Sequence, residues 1–109
     1  MTNYFDLSNK NMNIITRQDL ENFRHFGLGI PEYMYAGILR YVNDRILPGQ
    51  FLQAVICNDL KESVNRADDN NVRLLHVYIC FFYNKTPSDC WGSKKKMEDW
   101  IKSRETIDA

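Results

Sequence analysis

Residues 50–67 read Gln-Phe-Leu-Gln-Ala-Val-Ile-Cys-Asn-Asp-Leu-Lys-Glu-Ser-Val-Asn-Arg-Ala, and the spacing of their apolar side chains indicates the fold class. The apolar side chains recur with the period of one face of an α-helix. They are Phe51, Leu52, Val55, Ile56, Leu60 and Val64. The stretch therefore predicts one amphipathic helix that packs against other helices.

Asp59 lies near the middle of this apolar face if the helix is continuous, because each helical residue turns the chain by about 100°. An unpaired carboxylate is costly to bury, so we expect Asp59 to be hydrogen-bonded. The best donors are the Trp91 indole and the backbone amides of the stretch from Cys90 to Ser93. A polar ligand pocket around Asp59 is the alternative.

Helical patterns continue on both sides of this stretch. Thr16 can cap a helix that should stop near Gly27, and Pro31 suits the first turn of the next helix. Residues 72–83 are apolar around almost the whole helical circumference, so they should form either the centre of the bundle or a contact with a second copy of the chain. A last helix is predicted from Ser93 to about residue 104, with Met97, Trp100 and Ile101 on its inner face.

The 109 residues fit one domain. Residues 1–15 are rich in asparagine and show no apolar period, so we expect a flexible or loosely docked N-terminal arm followed by a single helical domain at residues 16–109. The predicted fold class is all-α, a compact bundle of about five short helices.

Charge and cysteine content limit the classes of function. Fourteen basic residues balance fourteen acidic ones, so nonspecific binding to nucleic acid is not expected. Three cysteines without a framework spacing indicate a reducing cytoplasm, and the longest near-apolar stretch, residues 74–83, is too short to span a membrane.

Residues 90–96, Cys-Trp-Gly-Ser-Lys-Lys-Lys, form the candidate binding stretch. An aromatic ring beside three cations suits an anionic ligand such as a nucleotide, or a partner protein, with the contacts made by Trp91, Ser93, Lys94, Lys95 and Lys96. Under a structural interpretation, Ser93 caps the last helix and Trp91 fills the core.

Other chemistry finds little support in the sequence. Four side chains could supply zinc ligands, but their spacing matches no zinc-finger form; they are Cys57, His76, Cys80 and Cys90. Both histidines precede Cys90, whereas papain-like proteases place histidine after the nucleophile. No acid/base pair or phosphate loop is recognisable, so we expect neither an enzyme nor a cofactor.

Several phrases between residues 30 and 101 resemble a family of short, largely uncharacterised proteins of tailed phages and prophages. They are Ile30-Pro31-Glu32-Tyr33-Met34, Pro48-Gly49-Gln50-Phe51-Leu52-Gln53-Ala54-Val55, Asn58-Asp59-Leu60-Lys61-Glu62, Arg66-Ala67-Asp68, Tyr83-Asn84 and Cys90-Trp91-Gly92-Ser93. In that family proline and an acidic residue usually follow the serine, where this chain has Lys94 and Lys95. Proline after serine is typical of a capped helix start, which favours the structural interpretation of Ser93.

The resemblance implies a phage-encoded protein acting in the bacterial host cytoplasm. Together with the lack of a catalytic pattern, it predicts a nonenzymatic accessory protein that binds a host or phage protein and modulates host physiology or defence. One alternative is a binder of anionic nucleotides. The other is a helical DNA-binding regulator, although residues 72–83 are too apolar to enter a major groove.

Overall fold

The computed structural model describes residues 13–108, with side chains as far as residue 104. Within this range the chain is all-α, as predicted, and contains seven α-helices, of which five have seven residues or more. They are α1 (Arg17–Asn22), α2 (Tyr35–Asp44), α3 (Gln50–Ile56), α4 (Leu60–Arg66), α5 (Asp69–Val72), α6 (Leu75–Lys85) and α7 (Lys94–Asp108). Short 3-10 turns at Glu32–Met34 and Ser88–Cys90 precede α2 and α7.

Helix α6 forms the centre of the core. Its four largest inward side chains are fully buried: Val77, Tyr78, Phe81 and Phe82. They pack in one apolar cluster with residues of α2, α3 and α7. The prediction that residues 72–83 are central is confirmed. Val72 and Tyr83, at the two ends of this segment, are 39% and 73% exposed, so a contact with a second copy of the chain stays a prediction.

The predicted single helix at residues 50–67 is wrong, because the chain breaks between α3 and α4. Asn58 adopts the left-handed conformation, with φ of 61°. The Asn58 and Asp59 amides donate to the carbonyls of Val55 and Ala54 at 3.0 and 2.9 Å, which is the hydrogen-bond pattern of a Schellman helix end. Asparagine tolerates this conformation better than most residues, and aspartate is a favoured N-cap, so the pair ends one helix and begins another.

The packed domain begins earlier than predicted. Residues 1–12 of the expected flexible arm lie outside the described residues. The Asn43 side chain accepts hydrogen bonds from the amides of Ile14 and Ile15 at 2.9 and 3.0 Å and donates to the Ile15 carbonyl. The Ile15 side chain is fully buried. Ile14 and Ile15 therefore belong to the folded domain.

Two contacts of the Trp100 side chain hold helix α7 against α2 and against Arg45, which follows α2. Its indole nitrogen donates to the Tyr41 carbonyl at 3.0 Å, and the Arg45 guanidinium lies 3.9 Å from the centre of the ring. Met97 and Trp100 are buried and Ile101 packs against the core, so the predicted inner face of the last helix is confirmed. None of the helices within residues 13–108 has the length and apolarity needed to cross a bilayer.

Candidate functional site

Ser93 caps α7. Its hydroxyl oxygen accepts a hydrogen bond from the Lys96 amide at 3.1 Å, which satisfies one of the free donors at the start of the helix. The structural interpretation of Ser93 is thus confirmed. The Lys96 ammonium reaches back over the turn and donates to the Ser88 carbonyl at 3.1 Å, so it helps to hold the turn itself.

The three lysines do not converge on one point. Lys95 forms an ion pair with Asp99 at 2.8 Å along the helix, while Lys96 is engaged with the Ser88 carbonyl. Lys94 lies instead at the edge of a surface groove. The structure therefore distributes the predicted cationic cluster over three different surroundings, and it does not form one pocket for an anion.

The turn at residues 90–93 is held by backbone contacts rather than by Asp59. The Tyr41 hydroxyl donates to the Cys90 carbonyl at 2.5 Å, and the Gly92 amide donates to the Ile56 carbonyl at 2.7 Å. Trp91 is half-buried, with its ring centre 6.1 Å from that of Phe82. Trp91 and the capping Ser93 thus have structural roles in the turn.

Asp59 is a correction to the sequence-based interpretation. It is exposed and accepts a hydrogen bond from the Glu62 amide at 3.2 Å as the N-cap of α4. Because the helix breaks at Asn58, Asp59 no longer follows the direction that a continuous helix would give it. The predicted contact between Asp59 and the Trp91 turn is wrong.

The groove beside Lys94 has a volume of about 380 Å³ and carries charges of both signs. It is lined by Gln50, Gln53, Ala54, Cys57, Asp59, Glu62, Arg66, Lys94 and Met97. Arg66 forms an ion pair with Glu62 at 3.2 Å, and the Asp59 carboxylate also lines the groove. The two carboxylates balance the two cations of the lining, Arg66 and Lys94, so the groove has no net positive charge to attract the phosphate group of a nucleotide.

Among the side chains considered as zinc ligands, Cys57 and Cys90 are held in separate contacts. The Cys57 sulfur lies 3.7 Å from the Met97 sulfur, and the Cys90 sulfur lies 3.4 Å from the Thr86 hydroxyl. Within the described part of the chain, no three histidine, cysteine or acidic side chains are grouped so that they could hold a metal ion. Burial raises the pKa of the Cys90 thiol to about 11, and a protonated buried thiol is a poor nucleophile.

The most exposed large apolar side chain described belongs to a hairpin that the sequence did not predict. Helix α1 ends at Asn22 instead of near Gly27, and His25 and Leu28 then exchange backbone hydrogen bonds of 2.9 and 3.1 Å. Phe26 and Gly27, at the tip, both have positive φ, of 53° and 76°. The Phe26 side chain is 87% exposed and Leu28 is 44% exposed.

Contacts at the base of this hairpin hold it in place. The Arg24 guanidinium donates to the carbonyls of Glu21 and Phe23 at 2.8 and 2.7 Å. A Cβ atom at Gly29 would lie 2.7 Å from Arg24 Nη1, so glycine makes room for the guanidinium. Phe23 packs edge-on against Phe81, with ring centres 5.4 Å apart. Phe26 is therefore presented on a fixed backbone.

The sequence carried little indication of this hairpin. Two-residue hairpin turns with two positive φ values usually contain Asn-Gly or Asp-Gly, because those residues adopt the left-handed conformation most easily. Here phenylalanine occupies the first of the two positions, and no alternating strand pattern flanks it. Gly27 alone marks the place, and glycine is equally typical of a helix end.

Comparisons of the chain with models of known protein families, with curated proteins and with solved structures found no match. Function must therefore be argued from the surface and geometry of the chain itself.

Proposed function

We propose that the chain is a nonenzymatic accessory protein of phage origin that acts by binding a host or phage protein, with Phe26 as the anchor of that contact. The observation that carries the proposal is the 87% exposure of the Phe26 side chain at the tip of a hairpin. A bulky residue with positive φ is strained by about 1 to 3 kcal/mol, and such strain clusters at functional positions.

The hairpin has the properties of a preorganised anchor. Its backbone is fixed by the His25–Leu28 pair and by the Arg24 contacts, so little further ordering is needed when a partner binds. An aromatic ring is the type of side chain enriched at the centre of protein interfaces. Leu28 adds apolar surface beside it. The complementary partner surface is an apolar pocket that accepts a phenyl ring.

The phage origin and the host cytoplasm rest on the resemblance of the phrases between residues 30 and 101, and a role in modulating host physiology or defence follows from that origin. The nonenzymatic part of the proposal draws support from Cys90, whose thiol is buried and protonated at neutral pH.

The two other predicted functions find less support in the geometry. A nucleotide site at Lys94 to Lys96 would need converging ammonium groups, whereas two of the three are engaged with Asp99 and Ser88. A DNA-binding role for α6 would need its side chains to reach a groove, whereas Tyr78, Phe81 and Phe82 are buried in the core.

A comparative capture experiment tests the proposal. The full chain and its Phe26→Asn variant are immobilised as bait at equal density and exposed to lysate from infected and uninfected host cells. We expect at least one protein to be enriched on the intact chain, and its affinity to fall by about thirtyfold or more with the variant, the size of a hot-spot loss. Asparagine is chosen because it accepts the left-handed conformation.

Leu60→Ala provides the matched control, because Leu60 is a large apolar side chain with 72% exposure on a different element, α4. This variant should retain the captured protein. Equal capture by the intact chain and the Phe26→Asn variant would exclude Phe26 as the anchor. The absence of any enriched protein at near-native expression would contradict the binding function.

A further inference from the structure

Two imidazole nitrogens face each other beneath the hairpin. The Nδ1 atoms of His25 and His76 are 2.7 Å apart, and both side chains are partly buried. The ring planes are inclined by 50°, with centres 4.9 Å apart. His25 belongs to the hairpin and His76 to the first turn of α6, so the tertiary fold brings together two nitrogens that are 51 residues apart in sequence.

This contact constrains the protons that the pair can hold. At hydrogen-bond distance one Nδ1 must donate and the other must accept, so a single proton lies between the two rings. The same two positions can bind a metal ion if the donating ring moves that proton to its own Nε2, because each neutral imidazole then directs an Nδ1 lone pair toward the space between the rings.

We infer that His25 and His76 form a binding site for a divalent transition-metal ion such as Zn²⁺, coordinated by both Nδ1 atoms. Zinc–nitrogen bonds of about 2.0–2.1 Å at a tetrahedral angle place the two nitrogens about 3.3 Å apart. The observed 2.7 Å must therefore widen by about 0.6 Å. Rotation of the two partly exposed rings is needed both for that widening and to turn the two Nδ1 lone pairs, which face each other across the hydrogen bond, toward a common point.

The site has two protein ligands. In residues 13–104, whose side chains the structure describes, no set of three or more histidine, cysteine or acidic side chains could hold a metal together, so water completes the coordination of the ion. Structural zinc sites have four protein ligands, and this one is instead open and exchangeable. Bound metal joins the hairpin to α6 and so fixes the base from which Phe26 projects.

A titration of the full-length chain tests the inference. Metal is first removed with a chelator, ZnCl₂ is added, and binding is followed by calorimetry and by the thermal unfolding midpoint. We expect one ion per chain and a midpoint that rises with ion concentration, because the ion binds only the folded pair. His25→Gln and His76→Gln should each weaken binding by at least about tenfold, since even outer-shell changes at metal sites cost that much.

Cys80→Ser is the matched control. Cys80 lies four residues after His76 on the same helix and is also partly buried, so this variant separates binding by the histidines from binding by a neighbouring thiol. Its zinc affinity should equal that of the intact chain. Undiminished zinc binding by a folded His76→Gln variant would overturn the inference, and so would a tenfold loss in Cys80→Ser.

A second measurement needs no variant, in case the glutamine substitutions prevent folding. Paramagnetic Co²⁺ is added to the isotope-labelled intact chain, and the broadening of the amide resonances is mapped. Broadening that begins around His25 and His76 supports the site. Broadening centred elsewhere, or the absence of saturable binding, would overturn it. These readouts use the free chain, so they are independent of whether Phe26 binds a partner.

Discussion

The hairpin at residues 25–28 and the turn at residues 90–93 have the same local pattern, an aromatic residue followed by glycine, and they place the aromatic ring in opposite surroundings. Both glycines have positive φ, 76° at Gly27 and 114° at Gly92. Trp91, in extended backbone with φ of −154°, packs against Phe82. Phe26, in left-handed backbone with φ of 53°, is 87% exposed.

The hydrogen bonds of the two turns explain this difference. The 90–93 turn gives its backbone groups to other elements, through the Tyr41 hydroxyl and the Ile56 carbonyl. The hairpin pairs its own backbone groups, His25 with Leu28. A turn whose backbone groups are hydrogen-bonded to neighbouring helices holds its side chains against the core. A turn whose backbone groups pair with each other can project its tip into solvent.

The largest expected effect is at the packing partner of Trp91. Phe82→Ala removes a fully buried ring that contacts both Phe81 and Trp91, and it should lower the free energy of unfolding by about 3–5 kcal/mol. Urea denaturation of the variant measures this loss. A loss below about 1 kcal/mol, close to the effect of a surface substitution, would mean that the 90–93 turn is no better anchored than the hairpin.

Tyr41→Phe sharpens the comparison at the level of one hydrogen bond. It removes the hydroxyl that donates to the Cys90 carbonyl and leaves that buried acceptor without its donor. We expect a loss of about 1–3 kcal/mol in the free energy of unfolding. Chemical denaturation provides the value, and amide hydrogen exchange should speed up around Cys90. Unchanged stability would show that water or another donor replaces the hydroxyl.

Asp59→Ala tests whether the 90–93 turn is independent of α4. As the loss of an N-cap, it should cost about 1 kcal/mol. Because Asp59 caps α4 and does not hold Trp91, the losses from Asp59→Ala and Trp91→Ala should add in the double variant to within about 0.5 kcal/mol. A double-mutant cycle makes the measurement. A larger coupling energy would show that Asp59 and Trp91 do interact, contrary to the structure.

The smallest effect is expected at the hairpin tip, with the opposite sign. Phe26→Asn places a residue that tolerates positive φ at the strained position, so the unfolding free energy should stay the same or rise by up to about 1 kcal/mol. The contact between the Phe26 and His25 rings, with centres 4.5 Å apart, is lost and limits the gain. A marked fall in the thermal unfolding midpoint would show that Phe26 serves the fold rather than a partner.

Two features of the sequence by themselves determined much of the architecture. They are the spacing of its apolar residues and its helix-capping residues. The all-α class, the central position of α6 and the inner face of α7 follow from the spacing of apolar side chains, because burial of that surface drives the packing. Thr16 and Ser93 act as helix caps, as predicted, because capping depends on atoms only a few residues away.

Only the tertiary structure decided where the chain turns between those helices and which side chains it exposes. Asn58 can continue a helix or end one, and the left-handed alternative is selected because Ile56 then meets Gly92 across the domain. The same holds for the two sites proposed here. Phe26 could be recognised as an anchor only from its exposure, and His25 met His76 only because the fold brings together two residues that are 51 positions apart in sequence. Local propensities differ by less than the free energy of tertiary packing, so contacts distant in sequence make these choices.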